Sequence, residues 1–371
     1  MKYFVLFVIF LHGAIHLLGF LKAFEIMELE QLSLPISKTA GVFWFITFLL
    51  FMSAGVTLIV EMDGWYYIAI PAIILSTILI IPVWEDAKFG SIANGIIFIF
   101  SLIFIFGLTG CKSAEGRYIS IVKTEFQHQP IVPEEILNES DIAHLPLPVQ
   151  KYIRYTGAIG KIKMQNMCIE FDAQMVKKPG AKPMKAVSKQ YNFFGNYSRL
   201  FLMKGSMFFV PFRAYHVYKN QEATFKVRVA NLFNIVDVSG QQLTTAETVT
   251  VLNDLCIFAP AALIDKRIKW QEVDSLSTKV SIKNGSFNVS AILYFNAKGE
   301  LINFVSDDRS TLLDDGTLRK ARWSTPMRDY REMDGRKIPT YGETTYNYPE
   351  GDFTYGIFRL KSIQYNCKEV K

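Results

Sequence analysis

Four stretches near the start of the chain hold no charged side chain: residues 3–21, 39–60, 64–84 and 89–111. A helix rises about 1.5 Å per residue, so each stretch can cross a hydrocarbon layer of about 30 Å. The pattern predicts four membrane-spanning helices within residues 1–111. Beyond Cys111 the apolar runs become short and begin to alternate. Residues 112–142 read as a polar connector of mixed charge, and residues 143–371 as a β-rich domain long enough to bury its own core.

Within that domain, residues 145–161 predict a short helix, with Pro148 in its first turn and Gly157 placed to end it. Met167, Ile169, Phe171, Ala173 and Met175 then alternate with Cys168, Glu170, Asp172 and Gln174, as in a strand with one buried face. Asn284-Gly285 between two alternating runs marks a tight hairpin, because these residues accept the positive φ such a turn needs. Turns at 296–299, 334–335 and 349–352 extend the hairpin into a long antiparallel meander. One helix interrupts the strands. Thr244 and Glu247 fit a capping box, Val249, Leu252, Cys256 and Ala259 share one face, and Pro260 stops the run. The expected fold class is α+β: an N-terminal four-helix transmembrane bundle, then a curved antiparallel β-sheet of about ten strands, a half-barrel with the 244–258 helix across its concave side.

Charge divides unevenly along the chain. Four lysines against seven acidic residues before residue 111 give −3, so the remainder, with 36 basic and 27 acidic residues, carries +9. A basic domain beside a bilayer is drawn to anionic lipid, by about 1 kcal/mol for each Lys or Arg near the surface. Nucleic acid is not the expected partner: Lys177, Lys178, Lys182, Lys185 and Lys189 flank a Pro/Gly turn and no nucleic-acid motif accompanies them. The four cysteines are far apart and show no metal-finger spacing. The string Leu108-Thr109-Gly110-Cys111 matches a bacterial lipoprotein cleavage box, but such boxes end N-terminal signal peptides and this one follows three earlier apolar stretches. Lys2, Lys112, Arg117 and Lys123 on one side against Lys22, Lys38 and Lys88 on the other do not set an orientation.

Candidate chemistry is sparse. His12 and His16 stand four apart on one face of the first apolar stretch, where two imidazoles can ligate a metal or hydrogen-bond across a bundle. No other apolar stretch supplies a histidine, and neutral hydrogen bonding is the simpler use. Asp329 and Arg331 alternate onto one strand face, as do Tyr341 and Glu343 on the next strand; cross-strand ion pairs explain this without catalysis. No GxSxG, HExxH, P-loop or dinucleotide fingerprint is present, so nothing points to an enzyme or to a cofactor. The apolar content says more, with 30 Phe, 17 Tyr and 5 Trp. A curled sheet with a greasy concave face is either filled by its own side chains or open to an apolar ligand, and Val289, Ala291 and Leu293 face inward on the strongest hairpin.

The segments HGAIHLLGFLKAF (12–24), WEDAKFGSIAN (84–94), LPLPVQKYIRYTGAIGK (145–161), FAPAALI (258–264) and DYREMDGRKIPTYGETTYNYPEGDF (329–353) together resemble an uncharacterised bacterial membrane-protein family, a domain of unknown function. That resemblance implies four N-terminal helices and a C-terminal β-rich domain, and no activity. NGSFNVSAILYFNAKGELINFV (284–305) and DGRKIPTYGE (334–343) are further similar, at the level of fold, to the curved sheets of bacterial lipoprotein carriers, which bind acyl chains inside a half-barrel. The functional expectation is a multi-pass protein of the bacterial cytoplasmic membrane, a binding module for a membrane lipid or other hydrophobic ligand. Val289, Ala291, Leu293, Asp329, Arg331, Tyr341 and Glu343 are its candidate ligand-binding residues. An envelope enzyme and a structural subunit docking on a membrane-protein partner are the alternatives.

Overall fold

The computed structural model describes residues 2–29, 32–60, 64–108, 114–129, 133–207, 210–229, 233–313 and 316–371. The cleavage-box string lies outside these from Thr109 onward. The chain forms two compact units, residues 1–113 making the bulk of the first and residues 114–207, 212–229 and 233–371 the second.

The first unit is helical: α1 (Lys2–Ala23), α2 (Lys38–Ile59), α3 (Trp65–Ile80), the single turn α4 (Trp84–Ala87) and α5 (Gly90–Leu108). Three helices, Tyr3–Ala23, Lys38–Ile59 and Trp65–Ala87, are long and apolar enough to cross a membrane; Gly90–Ile105 is a shorter apolar helix. Pro71 sits inside α3, and Pro82 sits in a tight 3-10 turn, Ile81–Val83, that joins α3 to α4. Small residues let α1 and α2 pack closely: a Cβ at Gly19 would collide with the Trp44 ring, and one at Gly55 would fall 2.6 Å from Phe10.

The second unit begins with α6 (Ala114–His128), α7 (Glu139–Ile142) and α8 (Leu147–Tyr155). Strands β1 (Asn166–Met175), β2 (Met184–Phe193), β3 (Ser198–Met207), β4 (Val210–Lys219), β5 (Glu222–Val229) and β6 (Phe233–Ser239) form one arm of a sheet. Helix α9 (Gln241–Phe258) follows, then a second arm: β7 (Ile268–Asp274), β8 (Ser277–Asn284), β9 (Phe287–Phe295) and β10 (Leu301–Ser306). The short β11 (Ser310–Leu312) and β12 (Leu318–Lys320) pair with each other, and β13 (Arg322–Ser324), β14 (Met327–Met333), β15 (Arg336–Tyr348) and β16 (Gly351–Tyr365) complete the sheet. Its order is β6-β5-β4-β3-β2-β1-β16-β15-β13-β10-β9-β8-β7, with β14 beside β15. The two edge strands, β6 and β7, are not hydrogen-bonded to each other.

So many strands must curl, and here the two arms bend until their tips meet. Asn284 Nδ2 donates to Tyr218 Oη at 2.8 Å, and the Gln221 side chain lies against Gly285. Arg267 donates to the carbonyls of Phe194 and Gly195 at 2.7 and 2.8 Å, stacks over Tyr197 and pairs with Asp265. This is a curved half-barrel, and α9 lies inside it.

Three local expectations are corrected. The stretch read as a polar connector contains α6, whose Tyr118, Val122 and Phe126 pack on Tyr191, Phe193 and Leu200 of the sheet. That packing also buries Cys168, so the start of β1 is covered on both faces. The capping box does not form: α9 starts earlier, with Gly240 as its N-cap, and Thr244 Oγ1 donates to the Gly240 carbonyl while accepting from Ala223 N–H. Finally, the backbone at Asp329 is left-handed (φ 61°), which interrupts the pleat of β14. Met327, Tyr330 and Met333 turn toward the core instead of alternate residues.

Candidate functional site

The inward apolar residues of the hairpin are core. Val289, Ala291 and Leu293 are 1, 3 and 0 % exposed and belong to the same cluster as Val249, Leu252, Leu255 and Cys256 of α9. Over this hairpin the concave face is packed against the protein's own helix. Asp329 and Arg331 are exposed on β14, and among the described residues no hydrogen bond or ion pair joins them. Their neighbours interact instead: Arg328 stacks 3.6 Å over the Tyr341 ring, Arg359 lies 4.8 Å from it, and Glu343 Oε1 accepts from Tyr341 Oη at 2.8 Å and Arg328 at 3.2 Å. This is a surface stack, and burial followed by the bond to Glu343 raises the Tyr341 phenol above its ordinary pKa.

In the first unit, His12 and His16 are buried with their rings 4.9 Å apart, edge to face. His12 Nε2 lies 2.9 Å from Asn94 Oδ1 and 3.2 Å from Ser76 Oγ; His16 Nε2 lies 2.9 Å from the same serine. Asn94 Nδ2 donates to Ser76 Oγ and Thr77 Oγ1. The histidines thus join α1 to α3 and α5 through neutral partners. Among the described residues no group of three His, Cys, Asp or Glu is placed to hold a metal ion.

Sequence reasoning missed a buried ionic cluster on α9. Glu247 and Asp254 stand seven apart on one face of the helix, and both are buried. Arg199 of β3 donates to Asp254 Oδ2 at 2.6 Å and reaches Glu247 Oε2 at 3.4 Å. Arg309 donates to Glu247 Oε1 at 3.1 Å, and His216 Nδ1 lies 3.3 Å from the same oxygen. Gln190 and Asn192 of β2 add donors to Asp254 Oδ2. Burial pushes the Glu247 carboxyl up, but His216, Arg309 and Arg199 outweigh it and hold the group well below the usual carboxylate range. Such a cluster costs desolvation and demands one geometry, so it fixes the rotation of α9 inside the sheet. The spacing of Glu247 and Asp254 was visible in the sequence; their partners, 31 to 64 residues away, were not.

A second feature lies on the outer face of the sheet. Between α6 and strands β1, β2, β3 and β16 is a cavity of about 280 Å³. The buried Tyr118, Tyr191 and Leu202 give it an apolar floor, and Ile119, Val370 and the exposed Val187 add apolar lining. Tyr118 holds α6 in place by donating to the carbonyls of both Lys189 and Leu200 at 3.1 Å. The charged lining residues are half-buried or exposed. Lys189 pairs with Glu170 at 3.0 Å, and Lys204 pairs with Glu115. Lys361 also lines the cavity and has no hydrogen-bond or ion-pair partner among the described residues. It occupies a β-bulge: Glu170 pairs with Ser362 and Phe171 with Leu360, leaving Lys361 as the extra residue of β16. An apolar floor with a cationic rim suits an amphiphile.

A half-barrel wrapped on its own helix, in a chain with apolar helices of membrane length, defines the class structurally. The chain belongs to DUF6544, a family of unknown function, whose match spans residues 135–358. That span holds the α9 cluster but neither α6 nor Lys361. No curated protein matches the chain in sequence. Among solved structures it is similar to a putative outer membrane lipoprotein-sorting protein domain from Vibrio parahaemolyticus, with a TM-score of 0.30 and 6 % identity over 54 % of this chain and 85 % of that one. It is also similar to a LolA superfamily protein from Nitrosomonas europaea, with a TM-score of 0.34 and 8 % identity over 59 % of this chain and 92 % of that one.

Proposed function

We propose that the chain is a membrane-anchored binding module for a lipid-type, amphiphilic ligand, taken up in the outer cavity beneath α6 and not on the concave face. The cavity itself carries this reading: its floor is apolar, its rim is cationic, and it lies in a unit whose concave side is already occupied by α9. Helices α1, α2, α3 and α5 act as a multi-pass anchor in the bacterial cytoplasmic membrane. Val289, Ala291 and Leu293 form the wall on which α9 rests. The surface stack of Arg328, Tyr341 and Glu343 stiffens β14 against β15.

Native mass spectrometry with lipid extraction tests the reading on full-length protein released in mild detergent. The wild type is expected to retain a defined lipid. Val187→Trp fills the cavity from a partly exposed position on β2 and is expected to lose that lipid while unfolding at an unchanged denaturant concentration. A wild type free of lipid, or a folded V187W that keeps it, would overturn the proposal.

A further inference from the structure

We infer that the outer cavity selects an anionic head group of the phosphate-ester class, with Lys361 as its receiving charge; this rests on the amphiphile reading above and names its chemistry. Of the lysines on the rim, Lys189 and Lys204 already have carboxylate partners, so an incoming anion must displace Glu170 or Glu115 to use them. Lys361 carries no such debt; nor does the Lys371 side chain, but its backbone oxygen accepts from Lys189 Nζ at 2.8 Å, so among the described lining residues Lys361 alone stands clear of an acceptor. Its position is also built: the extra residue of a β-bulge re-aims the side chain that it carries, and this bulge sets an ammonium group beside an apolar floor. The lining holds the side chains of Lys189, Lys204, Lys361 and Lys371 against those of Glu115 and Glu170. A lysine acts on phosphate as a point charge with three donors and requires no planar geometry, which suits a head group entering from one side. The apolar stem then lies along Leu202 and Val187.

The test titrates detergent-solubilised, delipidated full-length protein with phosphatidylglycerol, phosphatidylcholine and glycerol 3-phosphate, followed by native mass spectrometry. Phosphatidylglycerol is expected to bind about five-fold more tightly than phosphatidylcholine, the worth of one lysine near an anionic head. Lys361→Gln, an exposed and structurally mild change, should erase that preference, whereas Lys279→Gln on β8 should leave it intact. Equal binding of the two lipids by the wild type would overturn the inference and leave the amphiphile reading standing. So would a preference that survives K361Q. Glycerol 3-phosphate binding without either lipid would keep the anion site and overturn the lipid reading. Binding of none of the three would overturn both.

Discussion

The two units bury polar groups in opposite ways. In the helical unit His12, His16, Ser76 and Asn94 meet through neutral hydrogen bonds, with no carboxylate or ammonium among them. In the β-rich unit Glu247, Asp254, Arg199 and Arg309 meet as ions, ringed by Gln190, Asn192 and His216. Water explains the contrast. On the proposed membrane placement, the apolar helices cannot readily recruit a counter-charge, so their polar anchors stay uncharged and small. A sheet that wraps a helix can bring donors from several strands to one carboxylate, which makes a buried charge tolerable. The price is brittleness, because removing one ion strands the others.

The largest effect therefore belongs to Glu247→Ala, which leaves Arg309 without its carboxylate inside the sheet. It is expected to cost about 3–5 kcal/mol, read from urea unfolding of the solubilised full-length protein by tryptophan fluorescence. The double variant E247M/R309M should cost less than E247A alone, since both charges then leave together. A loss for E247A no larger than that of an exposed ion pair would erase the contrast between the units.

Acid probes the same cluster with an intact chain. The folded pKa of Glu247 lies below its ordinary value of 4.5, and that of Asp265, held down by Arg267 against its own burial, lies below 3.8. Groups with depressed folded pKa values contribute stability that is fully present above their unfolded values and is lost as pH falls through the folded ones. Denaturation midpoints should thus stay level above about pH 5 and fall on further acidification. The fall should be shallower in Glu247→Gln; an unchanged slope in E247Q would remove Glu247 from the account.

The smallest effect is expected in the helical unit. Asn94→Leu removes the hinge of the neutral network and should cost about 0.6–1.7 kcal/mol, the range for hydrogen bonds between helices in lipid. Thermal unfolding of the detergent-solubilised chain measures it. A loss equal to that of E247A would show that charge is not what separates the two clusters.

Much of this architecture was legible in the chain because it is written in local period. The uncharged stretches became α1, α2, α3 and α5, and the Asn284-Gly285 turn joined β8 to β9 as expected, with Gly285 at φ 61°. Helix α6 was legible too, since Tyr118, Val122 and Phe126 recur every four residues; Glu115, Arg117, Lys123 and Glu125 masked it by making the segment look solvated. Glu125 is in fact buried, with Lys219 Nζ at 3.0 Å and Asn196 donating at 2.7 Å. The candidate site was hardly legible. Asp329 and Arg331 satisfied an alternation rule that a single left-handed residue suspends. The cavity beneath α6 needs residues from 115 to 371 in one place.

Local pattern in the chain marks the apolar helices, the strands and the Asn284-Gly285 turn, because each depends on neighbours within a few positions. Only long-range contacts brought α9 onto the concave side of the sheet, Arg199 and Arg309 to Glu247, and the bulged Lys361 into the lining of the cavity beneath α6. Those outcomes depend on sheet curvature and strand register, which are set by contacts between residues far apart in the chain and leave no periodic trace in it.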